Sequence, residues 1–593
     1  MSVIPSLHNQ DKLRMRAIVG FLAQEDQSDP AKHSNFLHRA CSNKKVTLDA
    51  VKCLLETFPE AARVTMDSVY PIHMACCNES CPSSIIELLV KEKPCLVEQV
   101  FRCVSFKGLP LHCYLSRTSN IDLETVKMLV EAYPGALKMA NDKFQSTPIH
   151  ALLRNPDINK LIDIVQFIVE TEPFALQMTD EYGRAPLHVA CANKNIDLKT
   201  IQTLLDCWPV SITQQDPCER LPIHTLCSNH ELDETASVNI LAILIKASPG
   251  TVQHADKHFY LPIRLAAICK SPEFCELLVD AYPQSLSIER EHLNSLPVHD
   301  TCMYGSVDTV KYLLDLHPEH IDRSANSGML PIHFATMGGK AETIKFLLMQ
   351  DPAGAAKTMD DLSLPLHVAC KIFVVDFNVV QLLFDSYPEA ICTCNRLAEG
   401  TPLDIARLQG AARNSRVIRF LETQMTYARK AQDTGAMTTL DDNGWLPLHH
   451  ALHDNATLGA IKLLAKGNSS PLRAADIMIP LRIACEFSSA GVVQFLVAEL
   501  NDSCLNHCDV NNDSPLHYAC RGGNCGVVKF LLERRVPSVS KRNCNNELPV
   551  HLLCESGDEK VDRESPEYVE TIWHLLLAYP ETVLNIDCSM PIL

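Results

Sequence analysis

Residues 326–348 read NSGMLPIHFATMGGKAETIKFLL, and this stretch holds one complete structural unit. Pro331 suits the first position of a helix, because its fixed φ helps there and its missing N–H is not needed. Gly338 is placed to end that helix, since glycine accepts the left-handed conformation of a C-terminal cap. Apolar residues from Ile344 to Leu348 then recur at helical spacing. The stretch therefore predicts a short helix, a turn and a longer helix.

The sequence motif that opens this unit recurs along the whole chain. A Pro followed by one aliphatic residue, and usually by His, occurs fifteen times between Pro71 and Pro591, at intervals of 33 to 45 residues. An earlier copy, Phe36-Leu37-His38, lacks only the proline. Self-similarity at such a period indicates one supersecondary unit stacked many times. We expect fifteen complete units and a sixteenth that stops at its first residues.

Length and charge limit the kind of molecule. A single core is implausible for 593 residues, whereas a solenoid escapes that limit because each unit packs only on its neighbours. The net charge is −18, and no long basic run is present. A phosphate backbone attracts clustered Lys and Arg, so this composition argues against a nucleic-acid partner.

The compartment is predicted from signals and cysteines. The segment Met1–Gln10 lacks the pattern of a secretory signal, and the most apolar run, Val238–Ile245, is too short to span a membrane. We therefore expect a cytoplasmic protein, with the nucleus possible, and no membrane partner. The 26 cysteines are then thiols in a reducing compartment.

Two further segments carry longer versions of the motif, Gly183–Ala190 (GRAPLHVA) and Ser514–Glu533 (SPLHYACRGGNCGVVKFLLE). Polar turn residues precede such segments, as at 179–184 and 509–513, and predict hairpin turns. From about Asn35 onward the chain resembles the ankyrin repeat family. The resemblance implies a mainly α, curved, ankyrin-type α-solenoid of about fifteen helix-turn-helix units joined by β-hairpin-like loops.

The chain departs from the family pattern in three ways. Eight of the fifteen prolines follow Leu, which cannot supply the usual hydroxyl cap worth about 1 kcal/mol, so we expect the Leu to compensate by packing. After the long helix comes Tyr/Phe-Pro-Glu/Gly-Ala, as at Tyr133–Ala136, where the Pro should stop the helix and start a short turn. Most units also exceed the usual length of about 33 residues.

Four segments are expected. Residues 1–30 form an N-terminal capping segment, and residues 31–423 a first block of repeats. Residues 424–440 form a polar insertion or hinge, because the unit beginning at Pro402 is the longest and has Asp404 in place of the His. Residues 441–593 form a second block that ends in an incomplete repeat. The capping segment carries apolar residues on one helical face, namely Leu13, Ala17, Ile18, Phe21 and Leu22.

Eight units carry His-x-x-Cys, a spacing that could offer two zinc ligands. A closed zinc site needs four converging ligands, and the Cys falls where the family places a core Ala, so we interpret the phrase as structural. A catalytic Cys–His pair would be one special copy rather than a repeated phrase. We therefore expect no enzymatic activity, metal, cofactor or small-molecule substrate. The pairs are His38/Cys41, His73/Cys76, His188/Cys191, His224/Cys227, His299/Cys302, His367/Cys370, His517/Cys520 and His551/Cys554.

The variable residues of the hairpin tips are the candidates for binding other proteins. Exposed aromatic, Met and Arg residues are typical interface anchors; for each of them, packing between adjacent hairpins is the alternative. We interpret the chain as a non-catalytic interaction scaffold or adaptor that binds partners through the tips and the concave helix face. The alternative is a regulatory or sensor arm truncated from a larger enzyme or ubiquitin-ligase-type protein. The candidate tip residues are Phe106, Phe144, Tyr182, Arg184, Phe259, Tyr260, Met329, Trp445 and Met478.

Overall fold

A computed structural model describes most of the chain. The chain divides into two compact units, Met1–His320 and Ile321–Leu593. The predicted capping segment lies outside the described residues except for Pro30, and the incomplete last repeat also lies outside them. The described residues are 30–66, 69–99, 101–102, 107–140, 146–157, 162–372, 376–396, 400–409, 415–433, 439–441, 445–467, 478–556 and 565–580.

Short and long helices alternate in the first unit, with one pair of two-residue strands. The elements are α1 Pro30–Ser42, α2 Leu48–Thr57, α3 Pro71–Cys77, α4 Ser83–Glu92, β1 Phe101–Arg102, β2 Lys107–Gly108, α5 Pro110–Leu115, α6 Leu123–Ala132, α7 Pro148–Leu153, α8 Ile162–Thr171, α9 Pro186–Ala192, α10 Leu198–Cys207, α11 Pro222–Ser228, α12 Glu234–Ala247, α13 Pro262–Cys269, α14 Pro272–Ala281, α15 Pro297–Tyr304 and α16 Val307–Leu316.

The same alternation continues in the second unit. Its helices are α17 Pro331–Met337, α18 Ala341–Gln350, α19 Pro365–Lys371, α20 Phe377–Ser386, α21 Pro402–Leu408, α22 Ser415–Gln432, α23 Pro447–His453, α24 Leu458–Gly467, α25 Met478–Phe487, α26 Ala490–Leu500, α27 Pro515–Arg521, α28 Cys525–Glu533, α29 Pro549–Glu555 and α30 Pro566–Ala578.

One repeat shows how the sequence specifies the unit. Pro186 begins α9, and Asp197 caps α10 by accepting a hydrogen bond from the backbone N–H of Thr200 at 2.8 Å. Ile201 and Leu204 of α10 are buried. After the helix, Pro209–Thr213 forms a 3₁₀ turn. For this repeat, the turn confirms the prediction that a Pro after the long helix starts another short turn.

The helices stack in two layers, short on short and long on long. In the first unit α9 packs on α11, and α10 packs on α12. In the second unit, one continuous set of buried side chains extends from Leu448 to Leu575 across successive repeats. The core therefore follows the stack, as expected of a helical repeat solenoid, and the predicted fold class is confirmed.

An asparagine after the short helix joins each of several repeats to the one before. The Asn193 side-chain amide donates to the carbonyls of Leu153 and Asn155, both at 2.8 Å. Asn229 donates in the same way to Cys191 at 3.0 Å. These bonds satisfy carbonyls that the end of a short helix leaves without a partner. The sequence alone presented these asparagines only as extra loop length.

The unit beginning at Pro402 has an irregular second helix. Helix α22 is 18 residues long and buries Gln424 and Ala428, and α24 packs on α22 and also directly on α20. In that direct contact, the Gly459 N–H donates to the Asp385 carboxylate at 2.7 Å. The predicted insertion at 424–440 thus begins inside α22, and its role as a hinge stays a prediction. None of the described helices is both long and apolar enough to cross a membrane.

Candidate functional site

The candidate surface is built from short loops that precede the short helices. In each of them the N–H of the first residue donates to the carbonyl of the fifth, as Asp256 does to Tyr260 at 3.0 Å. We call these five-residue segments the tip loops. Those in which all five residues are described are 180–184, 216–220, 256–260, 325–329, 359–363, 509–513 and 543–547.

An Asp at the first position of several tip loops holds the turn together. The Asp256 carboxylate accepts from the N–H groups of His258 and Tyr260, both at 2.9 Å, and Asp180, Asp216 and Asp509 have similar contacts. These bonds replace the strand ladder of a longer hairpin, which explains why the predicted hairpins are mostly tight loops. The only two-residue strand pair among the described residues joins β1 to β2. The tip loops are therefore preformed.

Neighbouring tip loops are bonded to each other through their backbones. The Lys257 N–H donates to the Cys218 carbonyl at 2.9 Å in the first unit. In the second unit Cys544 donates to Asn511 at 2.8 Å, from the same two loop positions. A partner would therefore meet a fixed spacing of tips rather than independent loops.

A buried histidine in the short helix of several repeats holds the neighbouring backbone in place by hydrogen bonds. His188 accepts the N–H of Ala185 on Nδ1 at 3.3 Å, and its Nε2 lies 2.9 Å from the Arg220 carbonyl. Because an amide N–H only donates and a carbonyl only accepts, the proton is on Nε2. His224 and His367 make the same pair of contacts. The His188 ring thus joins its own helix start to the tip loop 216–220, whereas His224 and His367 reach the carbonyls of His254 and Thr393, in the segment before the next short helix.

Burial keeps these imidazoles neutral. Desolvation lowers the pKa of five histidines at this repeat position to about 4, which favours the uncharged ring that accepts a backbone N–H on Nδ1 in copies such as His112 and His224. The five are His73, His112, His150, His224 and His333.

The same histidines explain how a helix can start at Leu-Pro. The ring of His112 accepts the N–H of Leu109 at 3.2 Å, which satisfies one donor at the helix start. Leu109 itself is buried, as are Leu221 and Leu296. The packing expected of this Leu is therefore present, although the hydroxyl that would cap the helix occurs only in copies such as Ser514.

The cysteines of the His-x-x-Cys phrase lie in the core. Cys191 and Cys370 are buried, and desolvation raises the pKa of each thiol to about 12. A thiol held protonated in this way is a poor nucleophile and a poor metal ligand. The phrase therefore belongs to the packing of the repeat, with its His as the bridge described above.

The fourth residue of a tip loop adopts positive φ. Four loops have the residues that this conformation favours, namely Gly183, Gly328, Asn512 and Asn546, and a fifth has Glu219 at φ 59°. Phe259 and Leu362 occupy the same position with φ of 62° and 64°. Their side chains are 42% and 41% exposed. Two apolar side chains thus project toward solvent from a backbone conformation that opposes them.

Four predicted tip residues of the first unit lie in tip loops, Phe259 and three others. Tyr182 is 58% exposed, and the Arg184 guanidinium lies over its ring at 4.8 Å. Arg184 also pairs with the buried Asp180 at 2.9 Å. Tyr260 is half-buried, with the Arg290 guanidinium over its ring at 4.3 Å. Tyr182 is thus open to a partner, while Tyr260 packs against the next hairpin.

The other predicted residues are differently placed. Met329 is half-buried at the end of a tip loop, and Trp445 is half-buried beside His450 and His453, with ring centroids 5.1 and 5.4 Å apart. Met478 is the first residue of α25, so it does not belong to a tip loop. Phe106 and Phe144, like the Met478 side chain, lie outside the described residues.

Sequence reasoning missed Leu362. Its signal is visible only when the copies are aligned on the loop: the fourth position is Gly or Asn in four loops, Glu in one and apolar in two. Phe259 was included only because it is aromatic.

One protein-family model matches parts of the chain. The model for ankyrin repeats matches three times, at residues 263–361, 298–395 and 481–563. No curated protein matches the chain. The matched segments overlap helices α13 to α20 and α25 to α29, so helices, tip loops and family model agree on the same repeat. Residues 263–395 and 481–563 of this chain are therefore ankyrin repeats, which are generally protein–protein interaction modules.

Proposed function

We propose that this protein is a non-catalytic adaptor that binds partner proteins through its tip loops and the adjoining face of the short helices. The observation that carries the proposal is the conformation of Phe259, an exposed aromatic residue at φ 62°.

The argument rests on an energetic conflict. A left-handed backbone costs an ordinary L-residue about 1–2 kcal/mol, whereas Gly and Asn adopt it readily. Exposing an aromatic ring to water gains nothing for folding. Phe259 therefore carries a cost that a Gly or Asn would avoid, and backbone strain of this kind concentrates at functional positions.

The surroundings of Phe259 suit an interface. The His292 ring meets it edge-on at a centroid distance of 6.0 Å, and Leu293 beside that residue is exposed. The half-buried Tyr260 and the Arg290 stacked on it adjoin the same edge. Aromatic and Arg side chains in such clusters supply most of the binding energy of protein interfaces.

The second unit has a similar feature. Leu362 projects from its tip loop, and Trp445 lies at the start of α23 with His453, whose ring also contacts Phe487 at 4.7 Å. This aromatic group lies on the side of the repeat formed by the short helices α23 and α25. We include it in the proposed binding surface.

The proposed compartment is the cytoplasm, with the nucleus possible. The support is the state of the cysteines, which are free thiols throughout the described residues, many of them buried. Free thiols in this number suit a reducing compartment.

The test compares two exposed phenylalanines. Phe259→Asn places a favourable residue at the left-handed position, so the free energy of unfolding should stay within about 1 kcal/mol of wild type. Capture of partner proteins from native lysate, quantified by mass spectrometry, should fall at least about tenfold for a specific subset. The matched control is Phe174→Asn, because Phe174 is 52% exposed but lies in the 3₁₀ turn Pro173–Gln177. Equal capture by all three proteins would contradict the proposal.

A further inference from the structure

One repeat differs from the others just after its long helix. In six other copies the residue two after the Pro is small and buried: Ala136, Ala175, Ser211, Thr251, Ser285 and Ala390. In the turn Pro318–Asp322 that residue is His320. The residue before the Pro is Tyr or Trp in several copies, such as Tyr133 and Trp208, but here it is His317.

The backbone of this turn is the ordinary one. The His320 N–H donates to the His317 carbonyl at 3.1 Å, just as Ala136 donates to Tyr133 at 3.0 Å. The two histidines are therefore changes of side chain on an unchanged backbone. Both side chains depart from the pattern in the same repeat, and they lie against each other.

Glu319 completes a group of three. His317 Nδ1 lies 2.9 Å from Glu319 Oε1, and His320 Nε2 lies 3.9 Å from the same oxygen. The two imidazole rings stack with centroids 4.6 Å apart. One ligand atom from each of the three residues lies within 4.8 Å of the others.

We propose that His317, Glu319 and His320 bind a divalent transition metal ion, with zinc as the expected ion. Two imidazoles and a carboxylate are ligands that zinc accepts, and three protein ligands leave a position for water.

Binding requires a small rearrangement. A tetrahedral zinc holds its ligand atoms about 3.4 Å apart, so the three atoms need to move by about 1 Å. Stacked rings direct their lone pairs along parallel planes, and one ring must turn for both nitrogens to meet one ion. His317 can turn because its side chain is partly exposed, whereas His320 is almost fully buried and stays fixed. Metal binding should therefore break the ring stack.

The alternative is that the three residues form only an ion pair, in which the histidines contact Glu319 and no metal ion binds. The two readings differ in what a metal titration detects. Zinc should bind the full chain once per molecule with a Kd below about 10 µM if the three residues act together.

The experiment is isothermal titration of zinc into the chelator-treated full chain, followed by cobalt substitution and its visible spectrum. His320→Ala and His317→Tyr restore the residues found in other copies, so both variants should fold. Each should weaken zinc binding by more than about 100-fold, since even loss of an outer-shell partner costs 10- to 100-fold. Glu319→Gln should weaken it as well. The control, His258→Ala, removes an exposed histidine elsewhere and should leave the Kd for zinc unchanged.

Two results would overturn the proposal. One is the absence of zinc binding below about 10 µM in the wild-type chain. The other is zinc binding that persists unchanged in His320→Ala and Glu319→Gln, because the ion would then be held by other residues. Circular dichroism of each variant at the titration temperature excludes unfolding as the reason for a loss.

Discussion

Removal of the His188 ring should loosen one tip loop without dissolving the stack. His188→Ala takes away the acceptor for the Ala185 N–H at 3.3 Å and the donor for the Arg220 carbonyl at 2.9 Å. The Ala185 end of this bridge lies in the interior, since the His188 and Ala185 side chains are fully buried, whereas Arg220 is half-buried. The variant therefore leaves the buried Ala185 N–H without its partner and the Arg220 carbonyl with only the Asp216 N–H at 3.0 Å.

The expected magnitude follows from the unpaired Ala185 N–H, the weakened bonding of the Arg220 carbonyl and the loss of the ring. A buried polar group left unsatisfied costs about 1–3 kcal/mol, and the missing ring adds a cavity. We expect a loss of about 3–5 kcal/mol, concentrated in the tip loop 216–220 and helix α9. Each 1.4 kcal/mol is tenfold in an equilibrium constant, so amide exchange in 216–220 should become at least about 100-fold faster.

Hydrogen–deuterium exchange read by mass spectrometry measures this locally, and that matters because long repeat arrays do not unfold in one step. The control is His258→Ala, which removes an exposed histidine from a tip loop. A change of less than tenfold in the exchange of 216–220 after His188→Ala would refute the bridging role of the ring.

Four further expectations are open to simple measurements. Stability should fall as the pH is lowered from about 6.5 to about 4, because the unfolded chain binds protons at histidines such as His73 and His112, whose folded pKa is lowered to about 4. Each such histidine contributes up to about 3 kcal/mol to this loss. Thermal melts that coincide at pH 7 and pH 4.5 would contradict the prediction. Asn193→Ala should cost about 1–3 kcal/mol in urea unfolding, since two carbonyls lose their donor. Cys191→Ala should cost about 1 kcal/mol or less as a small-for-small change in the core, and a loss above about 3 kcal/mol would show a further role for the thiol. Limited proteolysis should cut within 424–440 before other segments, and cleavage spread evenly along the chain would count against a hinge there.

The fold was largely predictable because its information is repeated. Each copy carries the same helix-starting Pro and the same apolar spacing, so an ambiguous copy is resolved by its neighbours. The segments at 179–184 and 509–513 were predicted as turns, and both contain tip loops. The side chain of Asp180 or Asp509 that replaces the strand ladder was not foreseen, since its acceptor role depends on loop geometry.

Helix α22 shows where the pattern misleads. The sequence from Thr423 onward is polar and was interpreted as an insertion, yet 415–432 is a continuous helix. It buries only a narrow stripe, including Val417 and Leu421, so most of its residues face water and weaken the apolar signal.

The binding residues were less predictable than the fold. Composition alone gave Tyr260 and Trp445 the same weight as Tyr182, but the first two pack against Arg290 and His453. The distinction depends on neighbours that come from other repeats or the following helix. Phe259 stands out only through its backbone conformation, which a side-chain pattern does not show.

The central claim is that exposed residues at left-handed tip positions exist to bind partners. Its most direct test is to measure stability and partner capture on the same Phe259→Asn and Leu362→Asn double variant of the full chain. The account predicts a free energy of unfolding equal to or above that of wild type, together with at least about a tenfold loss of a specific set of captured proteins. Unchanged capture would contradict it, and so would a loss of stability above about 2 kcal/mol, because the two side chains would then serve the fold.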